Sequence, residues 1–564
     1  MGEVVTALHR FDLPAAHGLA TQRGCQVFLV DPVLHMRAVA AGVAEPLVHT
    51  RSTVDVARSA YEQAQVAARS LCADLGERLA PLAPAAAAGA WSSHRIFQLF
   101  LTLLGYQRIW PEVLDQHEHE RWHVLLPHLA HTYGTHSFVP GLQLLTALRE
   151  RGIAHSAYGF ECPGLDAYQL PDLRRLPADV ELLVHLPTCG HDAAYIASEL
   201  KACGLRVGVL SSQMYDVAFD GLEATGLVDL ETVRQLLGPQ AVGSVRALEG
   251  ELKSVLVAHL QAHLGQPRFL DMQVQALWEA LEVQALFHLW LDQHFNGRLP
   301  GRLLISNHDA TVHGALMSFA HHRGLAISVL PHSRVHNLAI KTDGLMPTCL
   351  HHALQDGPNY DLSDRLLPGA PLRYPGEWAA PGELGELRVV GLVLNGISAN
   401  GMCMVDFEAY VQAVRQWLDW ARQQGLELRL RVRTAETPVL LMAQRLQLDA
   451  EALMQATQGS LSDFARGCDL TLGFDVPTSG LQDLVREGQA AMQIEFRPLA
   501  RHEWAIVDER IVPRYCCGEA QERLALMQRN PAVFLQFRSQ QCEAARARVA
   551  AARPLRDWLM PLGT

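Results

Sequence analysis

Thr478, Ser479 and Gly480 stand together between an apolar run over 470–473 and a helical pattern reaching about 487, after which Gly488 and a second apolar run follow. A hydroxyl residue opening a helix is an N-cap, and the first-turn N–H groups have no partner within the helix. The same place can hold an anionic group such as a phosphate. The plainer reading is an ordinary cap, worth about 1 kcal/mol. A position at the carboxyl end of a strand in a parallel sheet, where such folds bind ligands, favours the anion.

Asn395-Gly396-Ile397-Ser398-Ala399-Asn400-Gly401 follows another apolar run. Its glycines and asparagines, with Ser398, suit a loop whose backbone approaches a pyrophosphate. It lacks the GxGxxG spacing of dinucleotide sites, and a plain strand-to-helix loop is the alternative. Arg429, Arg431 and Arg433 alternate, so on a strand they project to one face. Arg433, last of the three, can meet a phosphate through two N–H groups; the alternative is a solvated edge strand.

Three residues stand just beyond apolar runs: Asp309 and His136 are candidate bases, and His332 offers an imidazole to bind phosphate or position an acceptor. A base within hydrogen-bond reach of an acceptor hydroxyl is what a displacement needs. Asp309 equally suits a helix cap, and either histidine a structural role. Asp343 is a third and poorer candidate base. The run from His117 to His123 holds an HExxH spacing at His119–His123, but His117 and His119 would point apart on a helix and no metal site is expected. No Asp-x-Asp occurs at a strand end, and Walker and Gly-x-Ser-x-Gly loops are absent from the sequence.

The elements that must position these residues alternate. Strands are expected near 123–127, 154–159, 180–186, 205–210, 302–306 and 326–330, with helices between them and a long helical region over 270–295. After a stretch rich in Pro and Gly, alternation resumes with strands at 387–394, 426–432 and 470–473, and the sequence ends on helical patterns over 519–527 and 532–552. Apolar strands separated by helices indicate buried parallel sheets. The expected fold class is therefore α/β, with two Rossmann-like domains facing across a cleft. The expected division is an N-terminal mixed α/β extension at 1–118, an acceptor domain at 119–360, a linker at 361–386 and a nucleotide domain with closing helices at 387–564.

Bulk properties narrow the function classes. With 564 residues, 49% hydrophobic and net charge −12, the chain lacks the basic footprint of a nucleic-acid binder. Eleven cysteines without a CxxC pair point to reduced thiols. No apolar run reaches the ~18–20 residues of a membrane span, and the first residues lack a signal-peptide core. A cytoplasmic location is expected, with peripheral contact at a membrane surface compatible with it.

The paired halves and returning helices resemble GT-B glycosyltransferases over about 120–550. In many bacterial surface-glycan transferases an aspartate, an apolar strand, Ser-Thr, a helical carboxylate and a glycine occur in this order; here Asp469, Thr478-Ser479, Asp483 and Gly488 take those places. The family's glutamate, which contacts ribose, is Asp483 in this chain. The segment 303–333 resembles the last strand–helix–strand of the N-terminal half in capsule and teichoic-acid enzymes, whose Gln-His-Gly turn is here Pro331-His332-Ser333. Residues 133–142 stand where those enzymes carry a Gly-rich loop. The His-Pro common after the second strand in users of CMP-activated sugars is replaced by Thr434-Ala435-Glu436-Thr437-Pro438.

The resemblance implies a nucleotide-sugar donor, with UDP, GDP and CMP left open, and a glycan or protein acceptor. It implies no separate cofactor. A nucleotide-sugar epimerase and a non-catalytic glycan-binding scaffold are the competing classes.

Overall fold

The computed structural model describes residues 2–52, 56–79, 93–127, 135–161, 168–187, 189, 192–213, 217–264, 267–306, 312–330, 348–352, 365–369, 386–399, 402–403, 405–433, 437–478, 480–497, 509–550 and 554–559. Among them are three parallel sheets with helices packed on their faces.

The first sheet comprises β1 (Glu3–Ala7), β2 (Gln26–Leu29), β3 (Leu47–Val48), β4 (Arg121–Pro127) and β5 (His155–Phe160), in the order β3-β2-β1-β4-β5. Its register pairs Glu3 with Arg121 and Thr6 with Val124. The expected boundary at 118/119 therefore separates strands that hydrogen-bond to each other. The 1–118 segment is not an extension but half of a Rossmann-like unit reaching 160. Helices Val56–Leu79 and Ser93–Gln116 cover one face through Leu71, Phe100, Tyr106 and Trp110.

The second sheet comprises β6 (Leu182–His185), β7 (Val207–Val209), β8 (Arg302–Ser306), β9 (Ala326–Leu330), β10 (Thr348–His352) and β11 (Arg365–Gly369), in the order β11-β10-β9-β8-β6-β7. Alternation splits its core: Leu303 and Ile305 face the long helix Pro267–His294, whereas Leu304 and Val184 face helix Ala193–Ala202. β11 lies inside the expected 361–386 linker. Its Pro368 and Gly369 read as breakers, yet an edge strand tolerates them.

The third sheet comprises β12 (Val389–Leu394), β13 (Glu427–Val432), β14 (Leu470–Phe474), β15 (Ala490–Glu495) and β16 (Arg514–Cys516), in the order β13-β12-β14-β15-β16. Helix Phe407–Gln424 shows why these elements form. Asp406 caps it by accepting from Ala409 N–H at 2.6 Å, Gly425 ends it at φ 70°, and Phe407, Tyr410, Val411, Val414, Trp417 and Ala421 supply a buried stripe. Its first turn also touches the first unit, since the Thr50 carbonyl accepts from Phe407 N–H (3.1 Å) and Glu408 N–H (3.2 Å).

Two closing helices link the third sheet to the second. Gln541, on Pro531–Ala550, donates to the Ala491 and Ile511 carbonyls at 2.5 and 2.7 Å. Leu555–Leu559 then lies on helix Ala193–Ala202, with Leu555, Trp558 and Leu559 buried, Arg556 paired with Glu199 at 3.1 Å, and the Trp558 carbonyl accepting from Arg302 at 2.5 Å. No helix of the described residues is long and apolar enough to cross a membrane.

Two buried histidines make stability depend on pH. Burial, reinforced by His313, pushes the His185 pKa down to about 3; burial, reinforced by His117, pushes that of His49 down to about 4. Unfolded, both take up protons near 6.5. Their contribution is complete above that value and is lost as pH falls toward 4 and then 3, by up to about 1.4 kcal/mol per pH unit for each group. Melting temperature should drop steadily from pH 7 to 4.5, and less steeply in a His185→Gln variant; a flat profile would contradict both assignments.

Candidate functional site

The third sheet reverses its order between β12 and β14, and in open α/β sheets ligands bind beyond the carboxyl ends at such a reversal. Residues 395–403 and 475–480 leave those two strands side by side. Asn395, buried, joins them: its side-chain amide donates to the carbonyls of Val476 (2.9 Å) and Pro477 (3.2 Å). Gly396 is half-exposed. Within the expected loop, Ser398–Ala399 pairs antiparallel with Met402–Cys403. The Ser398 side chain lies outside the described residues, as does Ser479.

Thr478 stands just before the next helix, Gly480–Arg486: its hydroxyl accepts from Gly480 N–H at 3.4 Å and its carbonyl from Leu481 N–H at 3.2 Å. A methyl group on Gly480 would come within 2.6 Å of Leu461, which explains a glycine there. Asp483 points inward, 4% exposed, with Arg486 3.6 Å away and equally buried.

The arginine row shares one face as expected, but two members have structural work. Arg429 donates to the Gly467 carbonyl (2.8 Å), and Arg431 to those of Gly459 (2.8 Å) and Ala456 (3.5 Å). These carbonyls lie at the ends of helices Ala450–Ala456 and Leu461–Arg466, which lack intrahelical partners there. Arg433 is exposed at the carboxyl end of β13.

Two residues of the crevice escaped the sequence reading. Asp475 ends β14 at φ 63°, a left-handed conformation rare for a residue with a side chain, and is 1% exposed. Arg497, two residues past β15, donates from Nε to its Oδ2 at 3.3 Å. The Asp475 N–H reaches the Ile494 carbonyl at 3.0 Å, and its own carbonyl accepts from Gln493 at 2.8 Å. Tyr410 packs edge-on to Phe474 and Phe496, with centroids at 5.2 and 5.8 Å. Burial, with the nearby Asp475 carboxylate, holds its phenol well above the usual range. The available signal was an aspartate directly after an apolar strand, answered by an arginine two residues after the next.

The candidate bases divide between two sheets. His136 falls in the first turn of helix Thr135–Glu150, which follows β4 of the first sheet; its side chain lies outside the described residues. Asp309 and His332 also lie outside them. The strands preceding these two are neighbours in the second sheet, with Ser306 in register with Leu330.

The histidine run diverges. His117 lies 3.3 Å from His49, His119 packs on Trp122, and His123 meets Glu3 at 2.8 Å. Among the described residues no group of three or more His, Cys, Asp or Glu side chains is arranged to hold a metal ion.

No protein-family model matches the chain, and no curated protein matches it. Solved structures that resemble parts of it include two glycosyltransferases. One is the pneumococcal O-GlcNAc transferase GtfA in complex with UDP and GlcNAc, at 8% identity and a TM-score of 0.29, covering 47% of this chain and 56% of that one, a little over half its length. The other is the glycosyltransferase SnogD from Streptomyces nogalater, at 16% identity and a TM-score of 0.28, covering 66% of this chain and 99% of that one. These likenesses are too distant to assign a function.

Proposed function

We propose that the protein is a glycosyltransferase that moves a sugar from a nucleotide-activated donor to a bacterial surface glycan or protein acceptor. One observation carries this reading: two loops tied together by Asn395 lie beyond the carboxyl ends of β12 and β14, where the third sheet reverses. The nucleotide is assigned to Asn395, Gly396, Ser398, Thr478, Ser479 and Gly480, with Arg433 at the rim and Asp483 behind. Hydroxyls, backbone N–H groups and arginine would stabilise the charge that develops on the leaving phosphate. An acceptor hydroxyl would lose its proton to Asp309, His332 or His136. Closing the crevice would exclude water, which competes with the acceptor.

Thr478→Ala combined with Ser479→Ala should weaken nucleotide binding by roughly 1–3 kcal/mol, the range for hydrogen bonds to charged groups. Calorimetry against UDP, GDP, CMP and their sugars measures it. Unchanged affinity in the folded double variant would move the site elsewhere.

A further inference from the structure

A transfer crevice needs a second wall to exclude water, and the units built on the first and second sheets are both candidates for it. The first unit meets the third through segments at the carboxyl ends of both sheets. Beyond β3, the Thr50 carbonyl accepts from Phe407 and Glu408 N–H, and Ser52 N–H reaches Asp406 Oδ2 at 3.2 Å. Asp406 and Phe407 open the helix that follows β12. Val33, beyond β2, and Val48, at the end of β3, pack on the core of the third unit. Helix Leu34–Ala40, which follows β2, lies against helix Val439–Leu446, which follows β13. The two sheets therefore present their carboxyl ends to each other.

Both reversals of strand order border this seam. The first sheet reverses between β1 and β4, and β1 is the neighbour of β2; the third reverses between β12 and β14, and β12 is the neighbour of β13. Tyr106, buried in helix Ser93–Gln116, marks where they meet. Burial, with Asp31 beyond β2, Asp12 in the loop after β1 and Cys403 beyond β12 all in electrostatic reach, holds its phenol well above the usual range. The loop after β1 has a fixed shape, since the Asp12 carboxylate accepts from Leu8 N–H at 2.8 Å and His9 N–H at 3.0 Å. His136, in the first turn of the helix after β4, belongs to the same reversal.

The second unit is tied to the closing helices at the opposite end of its sheet. The Trp558 carbonyl accepts from Arg302, the first residue of β8, and Arg556 pairs with Glu199 in the last turn of helix Ala193–Ala202. The carboxyl ends of β6 and β8, where a ligand of that sheet would bind, lie at the far end from this contact.

Resting on the transferase reading of the third sheet, we infer that the first unit, and not the second, forms the opposite wall of the transfer crevice and receives the acceptor at the reversal between β1 and β4. The catalytic pair is then built from sheets spanning 3–160 and 389–516, distant in sequence, and the second unit stands outside it. Of the three groups proposed to act on the acceptor, His136 is the one in this wall.

Hydrogen exchange of the full chain, read by mass spectrometry with and without UDP, GDP, CMP and their sugars, tests the assignment. The nucleotide sugar that lowers exchange over residues 475–480 should also lower it over residues 8–13, and leave residues 312–322 unchanged. Protection over 312–322, or protection confined to the third unit, would overturn the inference while leaving the nucleotide crevice standing. Absence of protection by every nucleotide and nucleotide sugar would overturn both.

Discussion

Among Asp309→Asn, His332→Ala and His136→Ala, at least one should lower turnover about 100- to 10,000-fold, the usual cost of removing a general base. The expectation rests on position, because each residue follows a strand's carboxyl end in a parallel sheet. The three are not equivalent. His136 belongs to the first sheet, whereas Asp309 and His332 follow adjacent strands of the second. The residue that responds therefore also identifies the unit receiving the acceptor. Transfer is measured with whichever nucleotide sugar binds, after circular dichroism shows that each variant folds. Product stereochemistry is read by NMR first, since retention of configuration proceeds without a conventional base. For an inverting enzyme, near-wild-type turnover in all three variants would remove the assignment.

Asp483→Leu should destabilise the fold by about 3–5 kcal/mol, because it leaves the Arg486 guanidinium buried without its carboxylate. Truncating one partner of a buried ion pair costs far more than replacing both. Asp483→Leu combined with Arg486→Met should therefore recover most of the loss, as apolar replacements of buried pairs commonly do. Urea titration gives both numbers from the shift in midpoint. An Asp483→Leu midpoint equal to the wild-type value would mean that the carboxylate does not balance that charge.

The sequence was most legible where one local pattern decides the outcome. The expected strands at 302–306 and 326–330 form as read, that at 387–394 forms over 389–394, and the stripe from Phe407 to Ala421 is a helix face. It was least legible where pairing is distant. β1 is short and interrupted by Thr6, whose hydroxyl donates to the His123 carbonyl 117 residues away, and no local pattern reveals that partner. The same blindness put a domain boundary through the first sheet.

At the site, the place of Thr478 just before a helix could be read from residue types, but the inward turn of Asp483 could not. Residues 481–486 are all buried, so helical periodicity carries no information about facing. The left-handed turn at Asp475 was equally hidden, since it depends on Gln493 and Arg497 from the next strand.

The docking of Leu555–Leu559 on helix Ala193–Ala202 has a consequence for synthesis. The last strand of the second sheet ends at residue 369, but the short helix that packs on its covering helix Ala193–Ala202 is encoded roughly 190 residues later. At about 5–20 residues per second that is a delay of roughly 10–40 s. Throughout it the part of the core cluster that Leu555, Trp558 and Leu559 will join awaits those side chains. The nascent chain should therefore be most exposed to aggregation, and most receptive to chaperones that hold apolar segments, while the third sheet is still being made.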